Sequence, residues 1–90
     1  MGFHTNMTIA EKIAHLEGVV FALHQSIYSS CSVSDINIED IDLNNSSSWS
    51  TLVLDEANLS RPDWMARNTI VRDIQKLNIV NKKLEELRNA

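Results

Sequence analysis

The sequence predicts a mainly α fold, two long amphipathic helices packed as an antiparallel hairpin with a short connecting helix between them. Three observations predict it. Apolar residues recur every three or four positions over two long stretches, and each stretch opens on a helix-capping pattern. Two Gly and one Pro in 90 residues are too few for a turn-rich β protein. A chain of this length buries only about 60–65% of the surface its unfolded form exposes, so it makes one domain with a thin core. Residues 1–90 are therefore read as a single helical domain, in which 1–7 form a disordered leader and 31–59 an acidic, Ser/Asn-rich connecting segment.

The first helix is predicted over about residues 8–29. Ile9, Ile13, Leu16, Val20, Leu23 and Ile27 follow steps of four and three, the period of one helix face. Thr8 is a fitting N-cap, Glu11 stands three residues on as its capping-box partner, and the pattern is expected to fray in Ser29-Ser30-Cys31-Ser32. The second helix is predicted over about residues 61–88. Ser60-Arg61-Pro62-Asp63 supplies a capping Ser, a Pro in the first turn and an acid at the third position. Behind it Ile70, Ile74, Leu77, Val80, Leu84 and Leu87 form one stripe, with Lys82/Glu86 and Glu85/Arg88 as charge pairs on the exposed side.

The connecting segment admits two readings. Trp49, Leu52, Val53 and Ala57 fit a short helix capped by Ser47 or Ser48, which is the preferred one. Alternatively, Ile36, Ile38, Ile41 and Leu43 alternate as in a strand and pair with Leu52 and Leu54 across Asn44-Asn45-Ser46-Ser47, giving an α-β-β-α order with a small hairpin between the helices.

Several classes of chemistry are not expected. The longest apolar run, Val19 to Leu23, is five residues, far short of the ~20 that span a bilayer, so no membrane association is anticipated. Met1 to Ala10 lack a charged start and an apolar run, which leaves export unsupported and points to the cytoplasm. Met7 could serve as an alternative start. Cys31 is the sole cysteine and can form no internal disulfide. On a continuous helix His24 and Cys31 stand ~10 Å apart along the axis, too far to share a zinc ion or to act as a thiolate and its base. The stretch from Asp35 begins like a calcium loop, yet Asp40 occupies the position that needs Gly and Ser46 the one that needs Glu. Gly at positions 2 and 18 builds no phosphate loop. No catalytic residue, cofactor site or metal site is assigned, and the chain is read as a non-enzyme.

The net charge of −4 hides a split. From Ile13 to Ser60 there is no Lys or Arg, against seven acids: Glu17, Asp35, Glu39, Asp40, Asp42, Asp55 and Glu56. Residues 61–90 carry seven basic side chains against four acids. Arg61, Arg72, Lys76 and Lys83 fall on one side of the second helix, away from its apolar stripe. Such a ridge is either a solvated face or an electrostatic docking surface. Nucleic acid is a poor fit to it, because the domain is acidic overall, has few aromatic residues and shows no nucleic-acid-binding signature.

Ala14, Phe21 and Tyr28, at seven-residue spacing, draw a second apolar line on the first helix, about 120° from its main seam. One antiparallel neighbour cannot cover both lines. Either the middle segment, with Trp49 and Leu52, folds over the second line, or another chain does. Gly18, on the same side, permits close approach. Trp64 and Met65 open the second helix away from its main stripe, and Asn81 sits where a polar residue would either fix a partner's register or lie at the edge of a stripe that has drifted to Val80. The expected function is that of a small regulatory or inhibitory binding protein, a homodimer or small oligomer. Phe21, Tyr28, Trp64 and Met65 would anchor a protein target of unknown identity, with Arg72, Lys76 and Lys83 steering an acidic surface onto it. Nucleic-acid binding through the basic ridge and a structural place in a larger helical assembly are the alternatives.

Overall fold

The computed structural model describes residues 7–44 and 60–89, and two long helices account for most of them. Helix α1 spans Ile9–Ser34 and helix α2 spans Arg61–Arg88, with a single 3-10 turn, Ile38–Asp40, described between them. Both start as their sequences dictate. The Thr8 hydroxyl accepts the Glu11 N–H at 3.1 Å, and the Glu11 carboxylate accepts the Thr8 N–H at 3.2 Å, a reciprocal capping box. The Ser60 hydroxyl accepts the Asp63 N–H at 3.3 Å, and Pro62, which has no N–H to satisfy, lies in the first turn.

Cross-contacts set the hairpin antiparallel. Ser34 meets the Asp63 carbonyl, Ser26 meets the Asp73 carboxylate, and Glu17 meets Arg88, so numbers fall along α1 as they rise along α2. Ile27, Ile70 and Ile74 are wholly buried between the helices, and Leu77, Leu84 and Cys31 are nearly so. Full burial of each large aliphatic side chain contributes about 1.5–3 kcal/mol, so this seam is the main source of stability. Ile9 continues the seam in sequence but is half exposed. Its position explains that: Glu17 already lies opposite Arg88, the last residue of α2, and Ile9 is two turns further out.

Two expectations are corrected. Helix α1 does not fray at Ser29–Ser32 but runs to Ser34, because Ser30 and Cys31 are buried and carry the seam one turn beyond Ile27. It ends at Asp35, which adopts a left-handed conformation at φ 54° and ψ 41°. The Ile36 N–H then donates to the Cys31 carbonyl at 2.9 Å and the Asp35 N–H to the Ser32 carbonyl at 3.4 Å, a Schellman closure. Ile36 folds back onto the core cluster that contains Cys31, the apolar contact that accompanies this motif.

The second correction concerns the α-β-β-α alternative: no strand occurs among the described residues. Asn37 accepts the Glu39 N–H on its side chain and starts the 3-10 turn instead. Ile41 is buried, and Ile36, Ile38 and Leu43 pack half-buried against the seam, so the apolar spacing that mimics a strand reflects a chain wrapping over the hairpin. The short helix expected over 47–57, the pairing strand at Leu52 and Leu54, and the leader up to Asn6 lie outside the described residues.

Candidate protein-binding surfaces

Helix α2 touches α1 along one stripe, which leaves the second apolar line of α1 in solvent. Phe21 is 66% exposed and Tyr28 51% exposed, and Ala10, Ala14 and Gly18 are exposed beside them. A side chain added at Gly18 would meet nothing within 4 Å among the described residues, so no contact among them uses the missing Cβ. This line is flanked by Glu17, whose carboxylate accepts from Arg88 at 2.8 Å across the hairpin. Arg88 therefore makes its ion pair with α1, and the Glu85/Arg88 pair expected along α2 is not the one formed.

The outer face of α2 carries the basic ridge. Arg61, Arg72, Lys76 and Lys83 are all exposed, and the described residues supply an ion-pair partner to Lys83 alone, Glu86 at 3.9 Å one turn on. Ile79, at 69% exposure, stands on this face between Lys76 and Lys83. Its place could have been read from the sequence, since five residues from Ile74 is about 140° around the helix, on the side away from the seam. Asn81 is exposed while Val80 is half-buried, so the stripe has drifted as a straight helix drifts against a seven-residue repeat.

Met65, 52% exposed, does not join Phe21 and Tyr28. Together with Val33, Pro62, Ala66 and Thr69 it lines a shallow apolar groove of about 330 Å³ where the end of α1 meets the start of α2. Val33 is five residues past Tyr28, hence about 140° around α1 from it. The four proposed anchors thus do not form one surface: Phe21 and Tyr28 share a line of α1, and Met65 lies apart from it. Trp64 differs from the others: it is half-buried, with its indole N–H out of solvent and without a hydrogen-bond partner among the described residues.

One polar contact in the seam escaped the sequence reading. Asp73 is 7% exposed, and the Ser26 hydroxyl donates a short hydrogen bond to its carboxylate. Asp73 sits three residues past Ile70 and four before Leu77, so helical spacing alone put it at the edge of the buried stripe. Cys31 is also enclosed, and burial raises its thiol pKa above the ordinary value. Such a thiol is a poor nucleophile at neutral pH. Among the described residues no three His, Cys, Asp or Glu side chains group as a metal site would need, and no helix is long and apolar enough to cross a membrane.

Fold and surfaces together define a mainly α helical hairpin with one apolar flank and one basic flank in solvent. No protein-family model, curated protein or solved structure matches the chain.

Proposed function

We propose that the chain is a small, non-catalytic regulatory or inhibitory protein that binds another protein through its helix surfaces, as a homodimer in the cytoplasm. The observation that carries this reading is the exposure of Phe21 and Tyr28 on a flank of α1 that α2 does not reach. Single exposed apolar residues are ordinary, but two large rings on one line of a well-capped helix, beside small residues, are suited to contact with another chain. The one cysteine, buried and unpaired, suits a reducing compartment.

The surface presented to the target is the outer face of α2. Ile79 supplies an apolar contact there, and Arg72, Lys76 and Lys83 surround it with positive charge, an arrangement that accelerates encounter with an acidic surface and fixes its orientation. The test is capture of binding proteins by the tagged wild-type chain and by an Arg72→Glu/Lys76→Glu/Lys83→Glu variant, before and after nuclease treatment. These positions are exposed, so the variant keeps its fold. Proteins retained by the wild type, lost by the variant and indifferent to nuclease are expected. Equal recovery by both forms refutes the assignment of this face, and binding that vanishes with nuclease makes the ridge a nucleic-acid surface instead.

A further inference from the structure

One line of α2 gathers the cations of its outer face and both large apolar side chains that the helix leaves exposed. At about 100° per residue, Arg61, Met65, Arg72, Lys76, Ile79 and Lys83 all fall within roughly 40° of Met65 around the helix. All six are exposed, Met65 at 52% and Ile79 at 69%. Met65 also lines the shallow groove whose far wall is Val33 of α1. We infer that this strip seats an acidic amphipathic helix of a partner protein, lying along α2 from the groove to Lys83. The inference rests on the assignment of the outer face of α2 to a protein target and names the form in which that target binds.

Spacing selects a helix. Met65, Arg72 and Ile79 stand seven residues apart, the repeat at which one helix faces another. Their line drifts by about 20° per repeat, which a second helix follows at a shallow crossing angle. Two apolar side chains of the partner then meet the groove beside Met65 and the side chain of Ile79, roughly 21 Å apart along the axis. Between them the aliphatic stems of Arg72 and Lys76 continue the apolar contact, with their charged heads turned to the sides. Two apolar side chains are too few to hold a helix in a lipid interface, and no aromatic ring stands on the strip to stack on a base.

Charge selects the chemistry of that helix. Among the described residues the ion pair on this face joins Lys83 to Glu86 at 3.9 Å, which leaves Arg61, Arg72 and Lys76 without a partner there. A complementary occupant carries carboxylates on both sides of its apolar residues, where charged side chains pair across a helix seam. A second copy of this chain laid line against line would set cation on cation, which is costly, so the strip does not suit its own kind. Each exposed pair contributes little, and the complex is therefore weak, sensitive to salt and fast to form.

The test is fluorescence anisotropy of a labelled synthetic peptide of about 21 residues, helical in pattern, with Leu along one line and Glu on both sides of it, titrated with the full chain. The expected result is saturable micromolar binding at roughly 50 mM salt that weakens at least ~10-fold at roughly 300 mM, with a gain of peptide helix seen by circular dichroism. Met65→Ser/Ile79→Ser, at exposed positions that keep the fold, and a peptide of the same charge broken by two central Pro residues are each expected to bind at least ~10-fold more weakly. Undiminished binding in either case overturns the helical occupant and leaves an acidic protein target in place. So does failure of the Glu peptide to bind while Arg72→Glu/Lys76→Glu/Lys83→Glu still loses captured proteins. Self-association that this triple variant abolishes puts a second copy on the strip and overturns the inference as well. Tighter binding to vesicles of anionic phospholipid or to a duplex oligonucleotide than to the Glu peptide overturns both the inference and the protein target.

Discussion

The contact between Ser26 and Asp73 offers a prediction whose size follows from burial and charge. Asp73 is 7% exposed, and the Ser26 hydroxyl is the hydrogen-bond donor that reaches its carboxylate from α1. A hydrogen bond to a charged group contributes about 1.5–3 kcal/mol, roughly twice the neutral case, and the penalty is largest when the charge left behind is shielded from water. Ser26→Ala is expected to remove about that much. For a domain of this length, whose whole stability is on the order of 5–13 kcal/mol, each kcal/mol lowers Tm by roughly 4–8 °C. A loss near 2 kcal/mol is therefore a fall of roughly 8–16 °C. The assay is urea unfolding followed by far-UV circular dichroism on the wild type, Ser26→Ala, Asp73→Ala and the double variant. The account predicts that the double variant is more stable than the sum of the two single losses implies, by about 1.5–3 kcal/mol, because neither residue then leaves a stranded partner. A coupling below about 0.5 kcal/mol would refute the claim that this pair carries weight in the seam.

Three further outcomes follow from the same structure. At Asp35, where the backbone is left-handed, Asp35→Val is expected to cost about 1–2 kcal/mol and Asp35→Gly to cost nothing, measured by the same urea titration; equal effects would mean that the Schellman closure does not limit the end of α1. Because burial raises the Cys31 pKa, the folded state disfavours the thiolate. The corresponding stability is complete below the unfolded thiol's pKa of about 8.5 and declines as pH rises beyond it. Wild type should therefore lose stability relative to Cys31→Ala between roughly pH 8 and 10, and parallel curves would contradict the burial. The same thiol is expected to react with a disulfide reagent only as fast as the chain opens, so that mild urea accelerates the labelling steeply.

Much of the hairpin was legible because its signals are local. Thr8 with Glu11 and Ser60 with Pro62 and Asp63 mark both helix starts, and the stripes from Ile13 to Ile27 and from Ile70 to Leu84 give the faces that meet. The end of α1 was not legible, because Ser30 and Cys31 look like loop residues and Asp35 does the work usually left to Gly. Cys31 is held in the helix by partners distant in sequence, Ile70 and Ile74 among the core it joins. The same holds for Ile36, Ile38, Ile41 and Leu43, whose alternation is compatible with a strand until the hairpin beneath them is in place. Among the proposed anchors, exposure of Phe21, Tyr28 and Met65 follows from angular position alone. The half-burial of Trp64 and the grouping of Met65 with Val33 rather than with Phe21 depend on how the two helices meet.

That the outer flank of α1 is packed by a second chain is tested most directly by the dependence of Tm on protein concentration, compared between the wild type and Phe21→Glu. A ligand that binds only the folded state raises stability by mass action, and here that ligand is the protein itself. Across a hundredfold concentration range spanning the dissociation constant, wild-type Tm should climb by roughly 5–10 °C while the Phe21→Glu value stays level. A wild-type Tm that does not move, or one that climbs equally in both proteins, would contradict it.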